Sequence, residues 1–259
     1  MCTVIVSVEP EADVPVLLVG VRDELVTRPW MSPDRYWPAY PGLIGGKDLQ
    51  AGGTWLAADP EARRVGLLLN GEGTLAAPEA RLSRGGLPLQ AAQAGELPAA
   101  DLTRYDPFHL LVAGLDGVRL WTWNGESLAE DKLPQGVHML VNSGWDREAE
   151  HPRVAWFLPA FAAAARPAWQ EGGSPQRFWG DWLTLSSSGA GPAPEDPRAL
   201  IIRRRLEDGR IYASLSVSLL ALSEHGLRFD FCPTPEDPTS WHRVATGSSR
   251  ERRGRLRLS

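Results

Sequence analysis

Two apolar runs near the start of the chain predict a β-hairpin. Thr3–Val8 is apolar and β-branched, as in a buried strand, and residues 16–21 form a second run of the same kind. The polar segment between them is short enough for a turn. The second run ends in Arg22-Asp23-Glu24, so the hairpin would bring these three charges back to the beginning of the first strand.

The remaining pattern predicts more strands than helices. Residues 152–166, Ala-rich and closed by Pro167, predict the main helix. Residues 183–197 contain three Pro and predict a long loop. Glycines at 42–46 and 51–53 predict flexible segments around Lys47-Asp48. Further strands are predicted at 54–58, 64–70, 106–112, 118–123, 137–141, 199–204, 210–222 and 227–231. Strands at both ends with helices between them predict one α+β domain over residues 1–247.

Charge narrows the classes of partner. The 259 residues carry a net charge of −5, and residues 248–259, with five Arg and one Glu, contribute +4, which leaves −9 for residues 1–247. Such an acidic body does not suit a nucleic-acid backbone, which needs clustered cations, so no nucleic-acid partner is expected. The basic segment 248–259 predicts a disordered, solubilising tail; contact with an anionic membrane surface or partner is the alternative.

Hydropathy and cysteine content predict a cytoplasmic protein. No segment approaches the roughly 18–20 apolar residues of a membrane span, and the start of the chain lacks the features of a signal peptide. The two cysteines would remain reduced in the cytoplasm. The 11 Trp are many for this length; filling of the core is the preferred explanation, and an indole-rich apolar binding pocket is the alternative. The oligomeric state stays open.

Cys2 is the first candidate for chemistry. A small residue at position 2 favours removal of Met1, which would give the cysteine a free α-amine. Thiol nucleophile and base would then belong to one residue. Arg22 and Asp23 would lie beside it through the predicted hairpin, the guanidinium lowering the pKa of the thiol and the carboxylate holding the amine. A solvated turn is the alternative explanation of these charges.

Several sequence blocks, taken in order, resemble one family. The start Met-Cys-Thr is followed by VRDE at 21–24, GGKDLQAGGTWL at 45–56, SRGGLP at 83–88, YDPFHLLVAG at 105–114, LPQGVHMLVNSGWD at 133–146 and DGRIYASLSVSLLAL at 208–222. These blocks are similar to those of the NRDE family, also called the transport and Golgi organisation 2 family. The resemblance covers nearly the whole chain.

The resemblance implies a fold and a set of catalytic residues. The implied fold is an αββα sandwich, similar to that of N-terminal nucleophile (Ntn) hydrolases, whose cysteine branch includes bile-salt hydrolases and penicillin V acylases. By this resemblance Cys2 attacks an amide or thioester carbonyl, Arg22 and Asp23 assist it, and Asn70 and Asn142 stabilise the oxyanion. A small hydrophobic acyl substrate is expected, and no cofactor is required.

Two departures from the family pattern support one alternative, in which the protein keeps the hydrolase fold but has lost the activity. Val21 stands where the family motif begins with asparagine, and Tyr212-Ala213-Ser214 stands where the family has Tyr-Gly-Thr. Another alternative is a non-catalytic haem or acyl-lipid binding or trafficking protein, since members of the family are linked to haem and lipid homeostasis. Cys232, in a Cys-Pro pair, and His138 would be the candidate haem ligands. The five histidines show no metal-ligand spacing, so no metal site is expected.

Overall fold

The computed structural model describes residues 2–247; Met1 and the basic segment 248–259 lie outside the described residues, so the predicted tail is not tested. Two antiparallel sheets dominate this part of the chain. The strands are β1 (Thr3–Val8), β2 (Val16–Leu25), β3 (Trp30–Asp34), β4 (Gly45–Asp48), β5 (Leu56–Asp59), β6 (Arg64–Asn70), β7 (Phe108–Gly114), β8 (Gly117–Trp123), β9 (Leu128–Lys132), β10 (Gly136–Val141), β11 (Gly144–Trp145), β12 (Arg203–Arg205), β13 (Ile211–Ser223), β14 (Gly226–Cys232) and β15 (His242–Arg243).

Four α-helices and two short 3₁₀ turns complete the described chain. The helices are α1 (Leu87–Ala94), α2 (Pro152–Ala163), α3 (Pro175–Trp179) and α4 (Asp181–Leu185), and the 3₁₀ turns are Arg84–Gly86 and Leu102–Arg104. None of the helices within residues 2–247 is long and apolar enough to cross a membrane.

The first sheet places the start of the chain at its centre. Its strands follow the order β11-β10-β1-β2-β13-β14-β15, with β12 paired to β13, and the second sheet runs β5-β6-β7-β8-β9. β1 lies between β2 and β10, with Thr3 opposite Val21 and Val4 opposite Leu140. β3 and β4 form a separate two-stranded ribbon.

The layers are helix, sheet, sheet and helix, as the αββα expectation requires. Alternate residues of each strand point to opposite faces. Val4 and Val6 therefore pack between the two sheets, in one core cluster with Leu67 and Leu111. Ile5 belongs to a second cluster, which joins the other face of the first sheet to α2, α3 and α4. On the far side, α1 packs against the second sheet, where its Leu87 and Ala91 join the buried face of β7 and β8.

Several predicted elements need correction. Gly45 and Gly46, predicted to be flexible, belong to strand β4. A side chain at Gly45 would overlap the Leu56 carbonyl and one at Gly46 the Trp55 ring, so these glycines allow close packing. The loop predicted over residues 183–197 begins with the end of α4. Of the strand predicted at 199–204, only the last two residues belong to a strand, β12 (Arg203–Arg205). The main helix ends at Ala163, before Pro167.

Candidate active site

Cys2 lies at the centre of the first sheet, immediately before β1, and is half-buried. Continuing the register with β2 by one residue places it opposite Arg22, and continuing the register with β10 by two residues places it opposite Asn142, which follows β10. By strand alternation its side chain shares the face of Val4, which points between the two sheets. The apolar sequence that makes β1 a central strand therefore also holds Cys2 in the interior.

A cavity of about 460 Å³ opens beside Cys2. It is bounded by the ends of β1, β2 and β6, by the 48–55 segment and by residues 81–85. Its apolar wall consists of Ala51, Trp55, Leu68 and Leu82, and the polar side chains in its lining include Arg22, Arg28, Asp48, Asn70, Arg81 and Arg84.

The Cys2 thiol is held in its neutral form by its surroundings. Its Sγ lies 3.8 Å from the backbone carbonyl oxygen of Asp23. Burial raises the pKa of Cys2, and the negative charge of Asp23 acts in the same direction, whereas Arg22 opposes the shift. Because the thiol does not ionise on its own at neutral pH, a nucleophilic Cys2 needs a base to accept its proton.

Arg22 is fixed by contacts that leave one of its nitrogens unpaired. Its Nη2 lies 3.6 Å from Oδ2 of Asp48, and its guanidinium carbon lies 4.4 Å from the ring centroid of Trp55 and 5.7 Å from that of Trp30. Its Nη1 is buried and has no hydrogen-bond partner among the described residues. Burial lowers the pKa of Arg22, and a Cys2 thiolate raises it. Arg22 is therefore positioned to stabilise such a thiolate.

Asp23 turns its carboxylate to the opposite face of the sheet. Ser214 donates a hydrogen bond of 2.6 Å to Oδ1, and Nη1 of Arg153, on α2, lies 3.4 Å from Oδ2. The same Arg153 nitrogen donates to Oγ1 of Thr3 at 2.6 Å. Burial raises the pKa of Asp23, opposed by Arg153 and Ser214. The backbone of Asp23, rather than its carboxylate, contacts the thiol; its predicted hold on the α-amine stays a prediction.

A β-bulge in β13 lies opposite this charged pair. The register of β13 shifts between Ser214, which pairs with Asp23, and Ser216, which pairs with Arg22. The hydroxyl of Tyr212 donates to the Asp23 carbonyl at 2.8 Å. Ser214, which replaces the family's threonine, keeps a hydroxyl on the carboxylate. Val21, at the first motif position, is buried in the core beneath α2.

The two predicted oxyanion residues occupy different places. Asn70 ends β6, is exposed and lines the cavity. Asn142 is a turn residue of the β10–β11 hairpin and does not line that cavity, although the register places it next to Cys2. Its backbone carbonyl accepts a 2.9 Å hydrogen bond from Nε2 of His109, and its own Oδ1 is buried without a partner among the described residues.

Comparison with known proteins identifies the family of this chain. The family model of Transport and Golgi organisation 2 matches residues 1–171. The chain belongs to the TANGO2 family. The resemblance inferred from the sequence blocks is therefore confirmed. A comparison with curated protein sequences gave no significant match.

Solved structures similar to this TANGO2-family chain share the Ntn-hydrolase fold. The C2A mutant of conjugated bile acid hydrolase from Clostridium perfringens has a TM-score of 0.53 and 11% identity, covering 94% of this chain and 92% of that one. Penicillin V acylase from Agrobacterium tumefaciens has a TM-score of 0.46 and 12% identity, covering 90% and 84%. The Caenorhabditis elegans N-acylethanolamine-hydrolyzing acid amidase orthologue has 0.46 and 10%, covering 94% and 100%.

The candidate haem ligands do not come together in this TANGO2-family fold. Cys232 is on β14 and His138 on β10, four strand spacings apart, or about 19 Å. Both ring nitrogens of His138 are engaged, Nδ1 at 2.6 Å from Asp146 and Nε2 at 2.9 Å from the Pro134 carbonyl. These two residues therefore do not form a shared haem site, and haem binding stays a prediction without a site.

The tryptophans fill the core rather than the cavity. Trp55 is the one indole in the described cavity lining, whereas Trp121, Trp123, Trp179, Trp182 and Trp241 are buried in the core. Trp30, Trp37, Trp145 and Trp169 are partly buried against the core clusters, whereas Trp156 is exposed. Core filling, the preferred explanation, therefore accounts for most of the tryptophans.

Several residues around the site were missed by the sequence reasoning. Asp48 and Arg84 fall within the family-like blocks and Arg28 lies shortly after the VRDE block, but none of the three had an assigned role. Arg153 and His109 carried no signal, because their partners are more than 30 residues away in the chain.

Proposed function

We propose that this protein is a cysteine hydrolase that cleaves an amide or thioester bond of a small acyl substrate, with Cys2 as nucleophile. The observation that carries the proposal is the position of Cys2, at the head of the central strand, with its thiol on a cavity of about 460 Å³, Arg22 opposite it on β2 and Asn142 in the turn after β10. The Ntn-hydrolase fold is consistent with this arrangement but does not by itself establish the chemistry.

The proposed reaction has two stages. After removal of Met1, the α-amine of Cys2 accepts the thiol proton while Sγ forms a bond to the substrate carbonyl carbon. Asn70 and Asn142 donate hydrogen bonds to the resulting oxyanion, where one such donor is worth roughly 3–4 kcal/mol. The tetrahedral intermediate then expels the amine or thiol, which takes the proton. Water hydrolyses the remaining acyl-cysteine thioester, which releases the acid and restores the thiol.

The cavity limits the acyl group. Trp55, Leu68 and Leu82 supply an apolar wall for a short hydrophobic chain. The non-catalytic alternative, a haem or acyl-lipid carrier, would use the same fold without acylation of Cys2.

The test follows the acyl-enzyme by intact mass. The purified full-length protein is mixed with a panel of short-chain acyl thioesters and aryl amides, and the mass is recorded before and during turnover. We expect a chain lacking Met1 that gains one acyl group, no gain in Cys2→Ala and an unchanged gain in Cys232→Ser. A retained Met1, or a Cys2 that none of the acyl donors modifies, would overturn the proposal.

A further inference from the structure

The described cavity lining has four arginines and four carboxylates. One of these carboxylates, Asp23, is paired with Arg153 on the opposite face of the sheet, so the charges that face the cavity do not balance. Asp48 is paired with Arg28, whose Nε lies 2.6 Å from its Oδ2, and with Arg22 at 3.6 Å. Glu24 lies 3.8 Å from the same Arg28 nitrogen. Arg22 and Arg28 are thus matched by two carboxylates, and this part of the lining is neutral.

The other carboxylates are matched as well. Nε of Arg81 lies 3.1 Å from Oδ1 of Asp106. Asp23 is matched by Arg153 on the opposite face of the sheet. Every carboxylate of the described lining therefore lies within 4 Å of at least one guanidinium nitrogen.

Arg84 is the arginine of the described lining that makes no direct ion pair. Its Nη1 donates a 2.5 Å hydrogen bond to the Pro107 carbonyl, and no carboxylate lies within ion-pair distance of it in the described part of the chain. Burial lowers the pKa of Arg84, the negative charge of Asp106 opposes this shift, and a Cys2 thiolate would oppose it further, so Arg84 is within electrostatic reach of the nucleophile. Arg81 and Arg84 thus share the single negative charge of Asp106, which leaves one half-buried cation in excess, and such a charge is costly unless an anion accompanies it.

The backbone that carries Arg84 is held firmly. Ser83 caps the 3₁₀ turn Arg84–Gly86, its Oγ accepting from the Gly85 N–H. The Gly85 carbonyl accepts a 2.9 Å bond from the Thr54 N–H, and a side chain at Gly53 would overlap Gly85. This close contact fixes residues 83–85 against the 53–54 segment and keeps Arg84 at the cavity wall.

We propose that the acyl substrate carries an anionic group, a carboxylate or a phosphate, and that Arg84 binds it. The inference rests on the proposed function for the reacting bond, and it names the substrate class. One negative charge neutralises the one cation in excess, while the apolar wall of Trp55, Leu68 and Leu82 takes the chain that joins this charge to the carbonyl.

The test measures binding without turnover, in full-length Cys2→Ala protein by calorimetry at low salt. The probes are N-phenylsuccinamic acid, its neutral primary amide N-phenylsuccinamide, and phenyl phosphate. We expect an anionic probe to bind about tenfold or more tightly than the neutral amide, as a hydrogen-bonded charge pair requires. The better of the two anions identifies carboxylate or phosphate as the preferred group.

Variants assign the preference to one residue. Adding Arg84→Gln should reduce the preference for the anion to about threefold or less, whereas Arg84→Lys should retain most of it, since the charge remains. The matched control Arg205→Gln changes an exposed arginine of β12 outside the lining and should leave the preference intact. High salt should weaken anion binding in the unaltered lining.

Equal affinity for the acid and the amide, no detectable binding of either anion, or a preference that survives Arg84→Gln would each overturn the inference. These results are separate from the test of hydrolysis. A Cys2 that is never acylated would overturn the proposed function and leave the binding result in place. Acylation that ignores substrate charge would overturn this inference alone.

Discussion

The guanidinium of Arg153 lies 3.4 Å from the carboxylate of Asp23, and both side chains are almost completely buried, at 1% and 0% exposure. Arg153 is the second residue of α2. A cation is unfavourable at a helix N-terminus, where the dipole attracts anions. Its position is therefore explained by the carboxylate it meets, and the pair joins α2 to the strand that also carries Arg22.

Replacing Arg153 by Met should destabilise the protein by about 3–5 kcal/mol, because it leaves the Asp23 charge buried without a partner. Urea denaturation followed by circular dichroism measures the change. The matched control Arg147→Met removes an exposed arginine just before the same helix and should change stability by about 0.5 kcal/mol or less. The double variant Asp23→Leu/Arg153→Met should recover much of the loss; a double variant as unstable as Arg153→Met would contradict this account.

The thiol of Cys2 should react with iodoacetamide faster as pH rises, well beyond neutrality. Burial raises its pKa, and Arg22 is the neighbouring cation that opposes this shift. Arg22→Gln should therefore move the pH midpoint of alkylation upward, whereas Arg22→Lys should move it less. Peptide mass spectrometry follows Cys2 and Cys232 separately, and Cys232 serves as the internal control, because its Sγ contacts Ser240 rather than Arg22. An unchanged midpoint in Arg22→Gln would show that Arg22 does not stabilise the Cys2 thiolate.

His109 should act as a positioning residue for Asn142. It is buried, burial lowers its pKa, and its neutral ring bridges Oγ1 of Thr122 and the Asn142 carbonyl, each at 2.9 Å. Removing an oxyanion donor lowers kcat by roughly 10²–10³-fold. His109→Leu should only misplace the donor Asn142, so we expect kcat to fall about tenfold with little change in KM. His109→Gln, which can still donate, should recover part of the loss.

Two results would contradict a positioning role for His109. Equal losses of kcat in the Leu and Gln variants would indicate a general packing defect. A change confined to KM would place Asn142 in substrate binding rather than in oxyanion stabilisation.

The sequence predicted the central hairpin well because local pattern and burial agree there. Thr3–Val8 and residues 16–21 are predominantly apolar on both faces, and both faces are covered in the structure. The return of Arg22 to Cys2 follows from that hairpin alone. Asn70 reaches the cavity from the other sheet, so its position could not be predicted from the hairpin. Only the family resemblance indicated it.

The missed features depend on contacts between distant parts of the chain. The alternation of β2 separates Arg22 from Asp23, but the sequence does not indicate that α2 would supply Arg153 to the second of them. The glycines at 45 and 46 suggested flexibility because their role, close contact with Leu56 and Trp55, is visible only when β4 meets β5. The polar lining of the cavity could not be predicted either, because its arginines come from separate segments of the chain.

His138 should make the stability of the β10–β11 hairpin depend on pH. Its Nδ1 lies 2.6 Å from Oδ2 of Asp146, and this hydrogen bond is the main cause of a raised pKa of His138. Because the folded-state pKa lies above the unfolded value, the charged pair contributes fully below about pH 6.5. The contribution is lost as pH rises through the folded-state pKa. The pair is 9% and 24% exposed, so we expect about 1 kcal/mol.

Denaturation of the parent protein and His138→Gln at pH 5.5 and 8.5 measures this contribution. The stability difference between the two proteins should be larger at pH 5.5, since only there does the parent hold the charged pair. Asp146→Asn is the matched control: asparagine tolerates the left-handed backbone of this position, at φ 49°, and keeps a hydrogen-bonding side chain without the charge. In the Asp146→Asn background, His138→Gln should cost the same at both pH values. A pH-independent difference in the parent background would show that the pair contributes through its shape and hydrogen bond alone.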